Sequence, residues 1–395
     1  MIKFRMDINK LKQKFPILVN QDISYLDNAA TTQKPDNVID SISEFYSNFN
    51  SNVHRGLYPL ATKASEVYEE ARKAVADFIN ADPDEIIFIS GATEALNGLS
   101  RSLLNSGILN KDSTITLTQL EHHSNLLPWQ KLTNKNIEYL NVKDDFTFEE
   151  DAVRKINTDL FSFPLVSNVT GTIFPINYLS DFNGITVADA TQAVGHIKVD
   201  VKELDVDFLV FSGHKMYGPM GIGVLYGKKN LLEKLQPFNV GGGMIRQVDE
   251  QDFIHSGGVE KFEAGTPNIV GGIALGAALD YLTSFDSSEI SNHEDSLLKY
   301  GTEKLLQIDG LKIIGTSDRK ASVISFVIDG IHPYDIGTII DTDGIAIRTG
   351  HHCTMPLIKR FNLPATARAS FSMYNKIEEI DHLYNALLKV KRMFI

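Results

Sequence analysis

An α/β protein, with a mostly parallel sheet covered by helices and followed by a smaller α+β unit, is the fold class this sequence predicts. Three observations carry the prediction. Short apolar runs alternate with helix-like segments through the first two thirds of the chain. The 395 residues, 43% hydrophobic and 22% charged, are enough for more than one core. After about residue 285 the rhythm changes to strands followed by a terminal helix.

The N-terminal stretch "MIKFRMDINKLKQKF" alternates Lys with Ile, Leu and Phe but holds no continuous apolar core, so it does not read as a signal peptide. The runs "EIIFIS", "TITLTQL", "DLFSFPLVS", "GITVADA", "DFLVFSG" and "GIGVLYG" are then expected as buried strands, because a sheet covered on both faces needs nearly continuous apolar strands. Further on, "LKIIGT", "SVISFVID" and "GIAIRTG" are expected as strands of the smaller unit. The last helix is predicted from Ile377, Ile380, Leu383, Tyr384, Leu387 and Leu388 on one face, with Asn375 and Glu378 as a capping box. The expected division is a large unit of residues 17–285 and a small one made of 1–16 and 286–395.

Net charge is −12 and the basic residues are scattered, which argues against a nucleic-acid partner. No run approaches membrane-spanning length. A single cysteine permits no intrachain disulfide and suits a reducing cytoplasm.

Ligands on parallel sheets gather beyond the carboxyl ends of strands, so the loops after these runs are where chemistry is expected. In "FSGHKMYGP", Lys215 stands at the mouth of a buried strand among apolar residues and glycines, where a lowered pKa and a Schiff base are available to it; a solvated lysine is the plain alternative. "VADATQAVGH" places Asp189 at another strand end, followed by Gln192. A carboxylate beside a ring nitrogen is what pyridoxal phosphate requires, although a strand-end Asp is more often a turn former. "ISGATEALNG" runs from a strand through a small-residue turn with Thr93 into a helix start, which offers free N–H groups to a phosphate or forms an ordinary cap. "EHHSNLLPW" offers His122 and His123, one of which could stack on a cofactor ring, with a structural histidine as the default. "RTGHHCTMP" holds the lone Cys353, which can be a core thiol, a metal ligand or a nucleophile. Three adjacent side chains, His351, His352 and Cys353, do not easily aim at one ion, and no second cysteine completes a common zinc set, so no metal is expected.

In their order along the chain, "YLDNAATTQKP", "VHRGLY", "EHHSNLLPW", "SNVTGT", "DATQAVGH", "SGHKMYGPMGIGVLYG", "FEAGTPN", "RTGHHC" and "RASFSMYN" resemble the SUF-type (SufS-like) cysteine desulfurases, close to the selenocysteine lyases, nearly end to end. The resemblance implies PLP fold-type I, with a mostly parallel seven-stranded sheet and a smaller α+β C-terminal domain. It implies pyridoxal phosphate held by Lys215, stacked on His122, paired at its nitrogen with Asp189 and at its phenolic oxygen with Gln192. Thr93, Ser212 and His214 match phosphate ligands, and Thr266 is expected to reach the phosphate of a neighbouring subunit. Asn168 and Arg368 match groups that grip the substrate carboxylate, with Arg348 also expected at the substrate. His54 and Arg55 are expected to serve the partner's pocket in a homodimer. Cys353 matches the nucleophile that takes sulfur from L-cysteine, leaving alanine and a persulfide for iron–sulfur cluster assembly. In "IHPYD", Tyr334 stands where relatives that feed a scaffold-like partner have a second histidine, so a SufE-like acceptor or small-molecule reductants are expected first, with a SUF scaffold as the other acceptor. A pyridoxal enzyme acting on another amino acid without Cys353, and a non-catalytic scaffold, are the rival readings.

Overall fold

The computed structural model describes residues 6–394; the first five residues of the expected N-terminal contribution lie outside it. Seven strands form the main sheet: β1 Ile86–Ile89, β2 Ile115–Thr118, β3 Ile137–Leu140, β4 Leu160–Pro164, β5 Ile185–Asp189, β6 Phe208–Ser212 and β7 Gly223–Gly227, in the order β1-β7-β6-β5-β4-β2-β3. The pairings from β6 to β3 are parallel, while β7 runs antiparallel to both neighbours. Alternate residues enter opposite cores: Phe208 and Val210 pack with Ile115 and Trp129, whereas Leu209 and Phe211 pack with Phe161 and Tyr226. Both faces are covered, so the strands are apolar without interruption. The predicted seven-stranded, mostly parallel sheet is observed. The sequence did not single out β3, an edge strand whose Glu138 and Tyr139 are exposed.

The main helices on this sheet are α1 Pro59–Ile79, α2 Ala92–Asn105, α3 His123–Leu132 and α4 Ile269–Thr283. Helices α1 and α4 pack closely enough that a Cβ on Gly276 would lie 2.9 Å from the Ala71 methyl carbon. At the start of α2 a Cβ on Gly223 of β7 would come within 2.5 Å of the Gly91 Cα, so a glycine is required there for the helix to seat on the sheet.

The second sheet is four-stranded and antiparallel: β8 Leu311–Ile314, β9 Val323–Ile328, β10 Arg348–Gly350 and β11 Thr366–Ser370, in the order β8-β9-β11-β10. It packs against α5 Ser287–Leu305, α6 Pro333–Asp341 and, past the short helix α7 Met355–Arg360, α8 Ile377–Phe394, through a separate core that includes Phe326, Ile324, Leu383 and Leu387. The expected single strand "GIAIRTG" is split: Ile345–Ala346 pairs in parallel with Ser24–Tyr25, and only Arg348–Gly350 joins the four-stranded sheet. The expected Asn375–Glu378 capping box is replaced by Asn375 and Glu379, whose carboxylate accepts from the Lys376 N–H (2.8 Å) and from Asn375 Nδ2 (3.0 Å). Ile377 is 45% exposed and does not join the buried face of α8, which Ala386 and Val390 help to form.

Candidate active site

The carboxyl ends of β1, β2, β4, β5 and β6 open on one cavity of about 240 Å³, closed from the other side by Arg348, His352, Cys353 and Arg368 of the smaller sheet. A larger cavity of about 800 Å³ lies between α5 and residues 313–322 and contains none of the predicted site residues.

Each large-sheet residue is placed by its strand. Asp189 ends β5, buried, and one carboxylate oxygen accepts from the Thr191 N–H (3.0 Å). Gln192 lines the cavity and gives one Nε2 hydrogen to the Ala29 carbonyl (2.8 Å). Ser212 ends β6, and its Oγ accepts from the Ala92 N–H (3.0 Å), so the first amide of α2 is capped from the neighbouring strand. Thr93 lines the cavity one residue further on, its Oγ 2.7 Å from Ser124 Oγ. Lys215 ends a single 3₁₀ turn directly after β6 and is half-buried. Burial, with Arg368 beside it, pulls its ammonium down to about 8.

His122 is the N-cap of α3, its Nδ1 accepting from the Ser124 N–H (3.1 Å). Burial, then the Lys215 charge, holds its imidazole down at about 4. A buried network seats this helix end. Glu121 accepts from Thr118 Oγ1 (2.8 Å) and Asn125 Nδ2 (2.7 Å), and Asn125 Oδ1 accepts from the Trp129 indole (3.0 Å) and Ser162 (2.7 Å). Burial raises the Glu121 pKa well above the carboxylate range.

The opposite wall is built differently. Arg368, in the middle of β11, is 2% exposed, and it sits across the strand pair from Arg348. It donates to the Asn168 carbonyl (2.8 Å) and to Asp27 (3.1 Å), and its Nε is buried without a partner. Burial opposes both charges of that ion pair, lowering the Arg368 pKa and raising that of Asp27. His352 and Cys353 are consecutive non-glycine residues with φ of 50° and 57°. That left-handed backbone costs roughly 1–3 kcal/mol per residue. It is held by Asn168 Nδ2 donating to the His352 carbonyl (2.7 Å), by Thr366 against His352 Nε2 (2.8 Å), and by the His123 N–H donating to the Cys353 carbonyl (2.7 Å). Burial holds His352 at about 3. The Cys353 side chain faces the cavity and is exposed.

Lys215, Asp189, Gln192, His122, Thr93, Ser212, His214, Asn168, Arg348, Arg368 and Cys353 are thus brought to one cavity. Thr266, His54 and Arg55 are not: Thr266 is exposed ahead of α4, and His54 contacts Glu69 (3.1 Å). Sequence reasoning missed three contributors and the structural role of a fourth, His123. Asp27 pairs with Arg368. Lys34, drawn down to about 7 by burial, donates to the His214 carbonyl (2.9 Å). His196 joins Glu294 (3.0 Å) to the Lys215 carbonyl (3.2 Å). His123 binds the cysteine loop. All four lay inside quoted motifs, but contacts across about a hundred residues or more leave no periodic trace.

The donor set fits pyridoxal phosphate. His214 Nδ1 and Thr191 Oγ1 are buried polar atoms without partners, and Lys215 Nζ makes no hydrogen bond or ion pair among the described residues. The Ala92–Thr93 helix start beside Ser212 gives the phosphate a place, and the unpartnered Arg368 Nε near Arg348 suits a carboxylate. Among the described residues no cluster of His, Cys, Asp and Glu has the makings of a metal site, and no helix is long and apolar enough to cross a membrane.

The aminotransferase class-V family model matches residues 24–383. A probable cysteine desulfurase of Halalkalibacterium halodurans is 42% identical over 405 residues, covering 98% of this chain and 99% of that one. The apo cysteine desulfurase of Thermococcus onnurineus superposes with a TM-score of 0.94 at 35% identity over the full length of both chains. The cysteine desulfurase CsdA of Escherichia coli, solved in an S-sulfonic acid form, superposes with a TM-score of 0.92 at 32% identity, covering 99% of this chain and 100% of that one.

Proposed function

The chain belongs to the aminotransferase class-V family, and from that membership we infer that it is a pyridoxal-phosphate-dependent cysteine desulfurase, converting L-cysteine to L-alanine and taking the sulfur onto Cys353. One observation carries the reading: the only thiol of the chain lines the same cavity as Lys215 and Asp189.

Lys215 would hold the cofactor, with Asp189 at its ring nitrogen, Gln192 at its phenolic oxygen and His122 against its ring. Ser212, His214 and Thr93 would hold its phosphate. Bound there, pyridoxal phosphate supplies an electron sink for the bonds at the substrate α-carbon. A lysine drawn down to about 8 keeps a useful fraction of its amine unprotonated near neutral pH, able to take a proton at Nζ. His122, held neutral, adds no further positive charge beside Lys215, Arg348 and Arg368. Arg368 and Asn168 orient the substrate carboxylate, with Arg348 adjoining. Cys353 Sγ bonds to the substrate sulfur as that sulfur's bond to Cβ breaks, and the carbon takes a proton. L-cysteine and a thiol thus become L-alanine and a protein persulfide.

The finer placement rests on the short "RTGHHC" segment, which suits the SUF-type group close to the selenocysteine lyases. We propose a homodimer in which Thr266, His54 and Arg55 serve the neighbouring site; Thr266 and His54 are exposed in the single chain. The division into residues 17–285 and 1–16 with 286–395 belongs to the same reading. So do cytoplasmic iron–sulfur cluster assembly and a SufE-like acceptor, for which Tyr334, 54% exposed and stacked on His332, is the motivating difference. The test is to incubate the purified protein with L-cysteine. Alanine equal to the sulfur recovered as a Cys353 persulfide is expected, with borohydride fixing the cofactor to Lys215. Alanine formation at an undiminished rate in Cys353→Ala would overturn the assignment.

A further inference from the structure

His123, the neighbour of the ring-facing His122, makes two contacts with the segment that carries Cys353. Its backbone N–H donates to the Cys353 carbonyl (2.7 Å), and its Nε2 accepts from the Met355 N–H (3.1 Å). The first bond uses an amide that the start of α3 leaves free, so it is available whatever side chain stands there. The second depends on the imidazole, and a leucine could not replace it. Directly before these two anchors lies the left-handed backbone of His352 and Cys353, a conformation that relaxes unless its surroundings hold it. Met355 itself is 50% exposed, although Thr354 before it and Leu357 after it are buried.

The remaining restraints fall on His352 and on Thr354. Asn168 and Thr366 hold His352, and Thr354 bonds back to the His351 carbonyl (2.9 Å) and to Asn168 (3.1 Å). Among the described residues the Met355 N–H is bound by His123 alone. For Nε2 to accept, the ring must be neutral and carry its proton on Nδ1. Burial and the nearby His351 hold the imidazole below its usual value, in keeping with that requirement.

We propose that His123 is a positioning residue for the nucleophile: its Nε2, accepting from Met355, fixes the Cys353 loop in the conformation that aims the thiol into the cavity. The proposal rests on the desulfurase reading, and it assigns His123 a role in the sulfur-transfer step without contact with cofactor or substrate. A nucleophile displaced by about an ångström loses much of its rate while substrate binding is retained.

The test compares wild-type holoenzyme with His123→Leu and His123→Gln. Gln offers Oε1 to the same N–H; Leu offers nothing. Hydrogen exchange of residues 351–356 is expected to quicken in His123→Leu, with kcat falling about tenfold to a hundredfold, KM for cysteine within about twofold, and cofactor absorbance unchanged. His123→Gln is expected to restore protection and most of kcat. Unchanged exchange in His123→Leu overturns the proposal, as does lost protection with unchanged kcat. Equal loss in the two variants overturns it too. If the wild type forms no alanine, the desulfurase reading fails, and the exchange comparison still decides whether His123 holds the loop.

Discussion

On one side of the cavity Asp189, Ser212 and Lys215 stand on strand ends or one turn beyond them, where backbone ladders fix their positions. On the other side His352 and Cys353 hold left-handed backbone, and Arg368 lies buried opposite a second arginine. The first wall is rigid because regular structure makes it so. On the second, Arg348 and Arg368 also stand on paired strands, but the cysteine loop between them is kept in place by individual hydrogen bonds from Asn168, Thr366 and His123. The difference fits a division of labour in which a fixed platform faces a group that must reach the substrate sulfur. It also implies that substitutions on the two walls fail in different ways.

Lys215→Ala should cause the largest loss, removing covalent cofactor attachment and lowering turnover by at least about a thousandfold. Absorbance after gel filtration, with and without added cofactor, reads the attachment directly. Cys353→Ala should lower alanine formation from cysteine by about a hundredfold or more while the cofactor spectrum stays intact. A variant that also lost the cofactor would erase the distinction between the walls. Arg368→Lys keeps the charge but loses the fork to Asp27 and Asn168. KM for cysteine should rise roughly tenfold to a hundredfold, measured by initial rates.

The smallest effect sharpens the comparison through pH. Burial keeps His352 at about 3 against an ordinary 6.5, so between those values the unfolded chain binds the extra proton. The stabilisation linked to the neutral ring is therefore complete above pH 6.5 and is lost as pH falls towards 3. At pH 5 the loss amounts to about 2 kcal/mol. Urea unfolding of wild type and His352→Asn at pH 7.5 and pH 5 should show the gap between them shift by about that amount in favour of the variant at the lower pH. A pH-independent gap would mean that His352 is not held neutral.

The same contrast explains what the sequence could reveal. The six predicted runs of the large sheet are apolar on both faces, so hydrophobic pattern and strand identity coincide. Lys215 and Asp189 could then be placed at strand ends by position alone. Strand β11, "TARAS", escaped because it contains no large apolar residue; it is buried entirely by its neighbours and carries the arginine in its middle. The break at Ile347 escaped for a similar reason. Ile345–Ala346 pairs with Ser24–Tyr25, and nothing within the local window announces a partner that far away. The motifs placed the groups of the site, but the bonds that tie Asp27 to Arg368 and His123 to Met355 belong to tertiary structure alone.

The segment from Ser24 to Lys34 touches both walls. Asp27 holds Arg368, the Ala29 N–H donates to Ser370, and Thr31, Thr32 and Lys34 all meet the His214 carbonyl. During synthesis on the ribosome this stretch emerges early, yet its strand partners at Ile345–Ala346 and Ser370 are made several hundred residues later. The nascent polypeptide must keep that tether unsatisfied until the stretch from Ile345 to Ser370 has been translated. A chain that stops short of that stretch can fold the β-platform but cannot offer a finished grip for an amino-acid carboxylate, so the pocket closes long after its first residues are made.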